Sequence, residues 1–228
     1  MSGTPQHPAE PASSPRRNVG LDDPRAIDIL TTEHWSLLST RALGYQEMFG
    51  RTTVFIATLS AAAVALALVA QATRFGRETL SIALLLIAVV LFIGLTTFVR
   101  TVAINYEDAR WITGMNLLRQ AYLQIVPELE QFFVTGHQPE ADRSALAYGS
   151  RQHLAALARS LTTTSGVVGV LNSVLAGSLA SDVAALCGGG LSLALPLGVV
   201  VSLLSAALHV RYAARFRRTH SPATRSAE

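Results

Sequence analysis

Lysine is absent from this chain of 228 residues; all eighteen basic residues are arginine, a coding habit of a GC-rich genome rather than a chemical requirement. Charge of either sign is scarce, at 14%, while half the residues are hydrophobic. Soluble domains carry about 25% charge, so an ordinary soluble fold is excluded. Cysteine occurs once, as Cys187, which rules out an internal disulfide and reads as a small apolar residue. The histidines, at 7, 34, 137, 153, 209 and 220, form no i, i+4 pair, and with one cysteine they leave no zinc-type ligand set. No G-x-S-x-G elbow, Walker loop, H-E-x-x-H or dinucleotide fingerprint is found. A non-enzymatic protein with no metal, no cofactor and no catalytic residues is therefore expected.

What is present is long apolar runs. Residues 52–71, "TTVFIATLSAAAVALALVAQ", and 80–99, "LSIALLLIAVVLFIGLTTFV", hold no charge over 20 residues each, about the thickness of a hydrocarbon core at 1.5 Å per residue. Residues 164–184 are diluted by Gly, Ser and Ala and include Asn172, and 191–210 is again uncharged apart from His209. The short "ALCGGG" between them predicts a second transmembrane hairpin, with a re-entrant pair as the alternative. The fold class expected is all-α: a four-span transmembrane helical protein with amphipathic cytoplasmic helices before span one and continuing from span two.

Arginine placement sets the expected topology. Arg41 and Arg51 precede span one, six arginines lie between spans two and three, and Arg211, Arg215, Arg217 and Arg218 follow span four. The positive-inside rule then puts both termini in the cytoplasm, with Arg74 and Arg77 of the first loop running against it. The C-terminal four are expected to meet anionic lipid headgroups of the bilayer. No basic, aromatic-interleaved soluble module exists to bind nucleic acid.

Outside the spans, residues 1–24 are proline-rich with nothing apolar to bury, and 211–228 are basic; both are expected to be disordered tails. Residues 25–51 read as an amphipathic cytoplasmic helix capped by Thr31 or Thr32, whose stripe Trp35, Leu38, Ala42, Tyr45 and Phe49 wants a partner helix or the membrane surface. Residues 100–160 form a cytoplasmic helical stalk and linker, with a surface helix possible from Arg143. In it Trp111, Met115, Leu118, Tyr122, Ile125 and Leu129 follow a heptad seam, broken upstream only by Asp108 and bent at Pro127. The two stripes are expected to zip together, and a homo-oligomer is one expectation of such a coiled-coil-like stalk.

Three further features are candidates for function. Ser165, Gly169, Ser173, Gly177 and Ser181 recur every fourth residue, as do Ala194, Gly198, Ser202 and Ala206 in the next span; these are either a close helix-packing face or a pore wall. Asn172 is either a polar contact between helices or a pore-facing group. Glu107 and Asp108 form an acidic ring around an axis in an oligomer, or a solvated turn in which Glu107 pairs with Arg110. No ionisable group occupies the middle of a span, which argues against a proton-coupled carrier.

The stretches "LTTEHWSLLSTRALGYQEMFGR", "VALALVAQATRFG" and "INYEDARWITGMNLLRQAYLQIVPELEQFFVTGH" resemble uncharacterised multi-pass membrane proteins of high-GC Gram-positive bacteria over residues 30–137. The likeness implies a bacterial cell (inner) membrane and carries no activity. The expected function is an oligomeric pore or channel, with a membrane-anchored scaffold or regulatory protein as the alternative.

Overall fold

The computed structural model describes residues 20–133 and 162–219, and every regular element among them is helical. Helix α1 runs Ala26–Ala72, α2 Arg77–Ile125, α3 Thr164–Leu186 and α4 Leu191–Thr219, with a 3₁₀ turn at Pro127–Phe132. All four helices are long and apolar enough to cross a membrane. The expected disorder of residues 1–19 and 220–228, and the linker and surface helix over 134–161, fall outside the described residues.

Helix α1 carries the chain through residues 51–52, where span one is expected to begin, without a break. The amphipathic segment and the first span are one unbroken helix of 47 residues, about 70 Å long. The change from mixed to apolar sequence is a change of surroundings, not of backbone; lone Gly50 is tolerated in a helix interior at a cost near 1 kcal/mol. A hydrocarbon core is about 30 Å thick, so α1 is more than twice as long as one crossing needs. Its start also differs: the helix begins at Ala26, five residues before the expected threonine cap. Asp23 accepts the Arg25 backbone N–H at 2.9 Å, while the Thr32 hydroxyl donates back to the Asp28 carbonyl inside the helix.

Helix α2 is equally long and continues span two as expected, until Pro127, which cannot donate an N–H, converts the chain to the 3₁₀ turn. Leu129 therefore leaves the helix and is exposed. The far end corrects a second expectation: residues 211–219 are helical, extending α4 beyond the span rather than forming a tail from residue 211.

Two tight turns make the hairpins. After α1, Arg74 and Phe75 take left-handed conformations (φ 50° and 59°), and the Phe75 N–H reaches back to the Ala70 carbonyl at 2.9 Å. After α3, Gly188 sits at φ +88°; its N–H donates to Ala185 O and that of Gly189 to Ala184 O, at 3.1 and 2.9 Å. This is a Schellman cap, and it explains Gly188, the first glycine of "ALCGGG": the left-handed residue after a helix is cheap only for glycine.

Helix α2 is the centre of the bundle, packing on α1 along one side and α3 along another. Phe55, Val90, Phe98, Val102, Val168 and Leu175 form the core between them. Val64, Leu68, Leu85, Phe92, Leu203 and Leu208 lie on the outer surface, most of each side chain exposed, as helices solvated by lipid require.

Candidate functional site

The two small-residue faces meet each other. Ser165, Gly169, Ser173 and Gly177 are buried and Ser181 is partly covered; on the next helix Ala194 and Gly198 are buried, with Ser202 and Ala206 partly covered. A Cβ built on Gly177 would overlap the Ser202 hydroxyl and the Gly198 carbonyl, and one on Gly198 would overlap the Ser181 hydroxyl. The Ser181 hydroxyl donates to the Ala194 carbonyl at 2.9 Å and that of Ser173 to the Gly169 carbonyl at 2.7 Å. In lipid there is no hydrophobic drive between apolar helices, so backbone approach and dispersion contact hold such a pair. Within the chain these residues line a helix-to-helix contact.

Asn172 is wholly buried, and neither its Nδ2 nor its Oδ1 has a hydrogen-bond partner among the described residues. It points away from α4, toward α2 and α1: a Cβ at Gly94 would meet the Asn172 amide and come within 2.7 Å of Phe55 Cε2.

At the arginine-rich end, four charges join α1 to α2. Arg100 grips Glu47 with both Nε and Nη2, at 2.9 and 2.7 Å, and its Nη1 reaches Glu107 at 3.2 Å. Arg51 donates to the same Glu47 oxygen at 2.9 Å. These bonds, from Arg100 first and Arg51 second, hold the Glu47 carboxyl down at about 2 and raise Arg100 in turn. About two turns further out, Arg41 donates to both oxygens of Asp108, and the Tyr45 hydroxyl adds a bond at 3.1 Å; the Asp108 carboxylate raises the Arg41 guanidinium. Glu107 thus pairs with Arg100, seven residues back, rather than with Arg110. Asp108 does not break the seam; it supplies the polar bond within it.

The stalk seam is closed inside the chain. Met115 is buried and Trp111, Leu118, Tyr122 and Ile125 are partly covered. Of the expected stripe only Tyr45 takes part, through its hydroxyl on Asp108. Trp35, Leu38, Ala42 and Phe49 are exposed, and α1 instead turns Leu37, Arg41, Gly44 and Met48 toward α2. Gly44 decides the register: the Trp111 ring fills the space a Cβ there would need, at 2.8 Å.

Arg77 explains its departure from the arginine distribution. Its Nη2 donates to the Leu186 carbonyl at 2.9 Å, supplying an open carbonyl at the C-terminus of α3, where a cation is favoured, and tying the two hairpins together. Spacing signalled the Glu47–Arg51 pair at i, i+4; Arg41, Tyr45, Arg100 and Arg77 carried no signal because their partners are distant in sequence.

Among the described residues no group of three or more His, Cys, Asp or Glu is assembled to hold a metal. In comparisons with known proteins no family model, no curated protein and no solved structure matches the chain. The class follows from the helices: four of them long and apolar enough to span, arranged as two hairpins, make a multi-pass helical membrane protein.

Proposed function

We propose that this chain is a non-enzymatic, membrane-anchored scaffold of the bacterial inner membrane that associates with copies of itself through the projecting end of α1, with both termini cytoplasmic. One observation carries the reading. Once the α1–α2 seam is closed, the outer face of α1 still shows Trp35 and Phe49, 63% and 58% exposed, with Leu38 between them. These residues keep a three-and-four spacing and lie on a helix that projects from the span, where exposed aromatics are costly unless covered. A second copy presents the same stripe, and an isologous contact covers both at once. The basic end of α4 suits contact with anionic headgroups on the same side.

The pore reading draws less support. Glu107 and Asp108 each already pair with an arginine of their own chain, and Asn172 is enclosed by Gly94 and Phe55. The deciding measurement is the oligomeric state of the full chain in detergent, by light scattering and native mass spectrometry. Wild type is expected to be multimeric and the double variant Trp35→Glu, Leu38→Glu monomeric with unchanged helix content. A monomeric wild type sinks the proposal, as does ion flux through vesicles that Asn172→Leu abolishes while the oligomer persists.

A further inference from the structure

A cavity of about 380 Å³ lies between α2, α3 and α4, within the roughly 300–1,000 Å³ range of small-ligand sites. Its lining runs along α2 from Phe98 to Ala109, a rise of about 16 Å. That volume spread over that length makes a slot, long and narrow. One part of it is apolar: Phe98 and Val102 of α2, Val170 of α3 and Val210 of α4. Phe98 and Val210 stand at the ends of the charge-free runs 80–99 and 191–210. The His209 ring closes a side, edge-on to Phe98 with ring centroids 4.5 Å apart, and its Nδ1 donates to the Ser205 carbonyl of its own helix at 2.7 Å.

The polar groups of the lining gather beyond Val102. Asn105 Nδ2 donates to the Ser165 hydroxyl at 3.1 Å, and Thr163, which caps α3 by accepting the Gly166 N–H at 3.1 Å, lies 3.2 Å from the same hydroxyl. One atom of this cluster is left over: Asn105 Oδ1 accepts no hydrogen bond from the described residues, and Asn105 is exposed at the mouth. An amide oxygen only accepts, so an occupant must bring the donor. The lining also limits the charge of that occupant, because none of the described residues that form it is Arg, Asp or Glu. A charged head would leave water with nothing to pair it, whereas a neutral hydroxyl meets the amide oxygen directly. Water does not fill an apolar slot favourably. A hydrocarbon chain can enter it from the side, since the wall positions Val170 and Val210 are 44% and 47% exposed.

We infer that the slot between α2, α3 and α4 binds one long-chain alcohol, its hydrocarbon chain running past Phe98, Val102 and Val170 and its hydroxyl donating to Asn105 Oδ1. The site does not rest on self-association: every lining residue belongs to one chain, and the α1 stripe takes no part.

The test uses the full chain in detergent with a diazirine-bearing dodecanol, photo-crosslinked and mapped by mass spectrometry. Adducts are expected on Phe98, Val102, Val170 or Val210 rather than on Val64 and Leu203 of the outer surface. Unlabelled dodecanol is expected to suppress them at a concentration about fivefold lower than dodecyl methyl ether, the value of one hydrogen bond. Against dodecyl phosphate and dodecyltrimethylammonium, which carry opposite charges on the same chain, the expected advantage is tenfold or more. Asn105→Ala is expected to erase the advantage over the ether. Val170→Trp and Val210→Trp, which fill the slot from different helices, are each expected to weaken labelling tenfold or more at unchanged helix content. Equal competition by the ether or by either charged analogue, adducts spread over the outer surface, or wild-type labelling in both filled variants overturns the inference. Loss of labelling in the Trp35→Glu, Leu38→Glu variant also overturns it, since the site would then belong to the assembly.

Discussion

Gly94 of α2 lies flat against the side-chain amide of Asn172 of α3, so closely that a Cβ at position 94 would overlap the Asn172 oxygen. The contact joins the two hairpins, and it buries an amide with no hydrogen-bond partner among the described residues. Gly94→Ala is expected to cost about 1–3 kcal/mol through overpacking. Asn172→Ala exchanges the desolvation cost of an unsatisfied amide for a small void and is expected to change stability by less than about 1 kcal/mol. In the double variant the part of the Gly94→Ala cost that comes from the amide should vanish, leaving the closer fit against Phe55. A double-mutant cycle on unfolding from detergent measures this, and additive effects would refute the contact.

The α3–α4 hairpin depends on space that only glycine leaves. Gly177→Leu drives a side chain into the Gly198 carbonyl and Ser202, and separation of α3 from α4 is expected at a cost of about 3 kcal/mol or more. Disulfide trapping between cysteines placed at Ser181 and Ala194 would report it: trapping is efficient in the parent and lost in the variant.

Acid should loosen the junction of α1 with α2. Glu47 titrates at about 2 in the folded chain against an ordinary 4.5, so the folded state holds its charged form and binds fewer protons than the unfolded one. The contribution is therefore complete above pH 4.5 and fades as pH falls toward 2. Because Glu47 and Arg100 are each about one-third exposed, solvent screening keeps the loss small, about 1 kcal/mol or less. Stability measured between pH 6 and pH 2 should fall less steeply in Glu47→Gln than in wild type; parallel curves would show that the pair contributes nothing.

The projecting stalk should open without the spans. Leu118→Asp places a charge in the partly covered seam and is expected to abolish hydrogen-exchange protection over residues 26–44 while residues 80–99 stay protected. Unchanged protection in the outer half of α1 would mean that α1 does not need the seam.

Cys187 is exposed as the C-cap of α3, in the turn between α3 and α4. With cytoplasmic termini, a membrane-impermeant thiol reagent should label it only from outside the cell. Labelling solely from the inner face would invert the topology.

Much of the architecture was legible because it depends on one-dimensional quantities. Charge-free runs about as long as a bilayer is thick fix the four spans. Proline at 127 ends α2, and a glycine run can hold only a turn, so 186–191 closes a hairpin. The every-fourth small residues of spans three and four were open to a packing face or a pore wall; in the structure Gly177 lies against Ser202 and Gly198 against Ser181. Helix boundaries on the polar side were not legible, because a helix leaving the membrane keeps its hydrogen bonds and changes only its surroundings. That is why the divisions expected at residues 51 and 211 are absent from the backbone.

The face that α1 turns to α2 was decided by tertiary structure alone. Two stripes compete on that helix, one through Trp35 and Leu38 and one through Leu37, Gly44 and Met48, rotated from each other by about 100°. Hydrophobicity favours the first, but the fit of the Trp111 ring over Gly44 and the reach of Arg41 to Asp108 select the second. Fit and reach join residues more than sixty positions apart, and a periodic pattern within one helix holds no record of its partner's shape. The sequence by itself determined how many helices are long and apolar enough to cross, where they turn and how polar each stretch is, since those follow from composition and local backbone chemistry. The partners of Asn172, Glu47, Asp108 and Arg77, and the cavity beside His209, exist only once the two hairpins have docked.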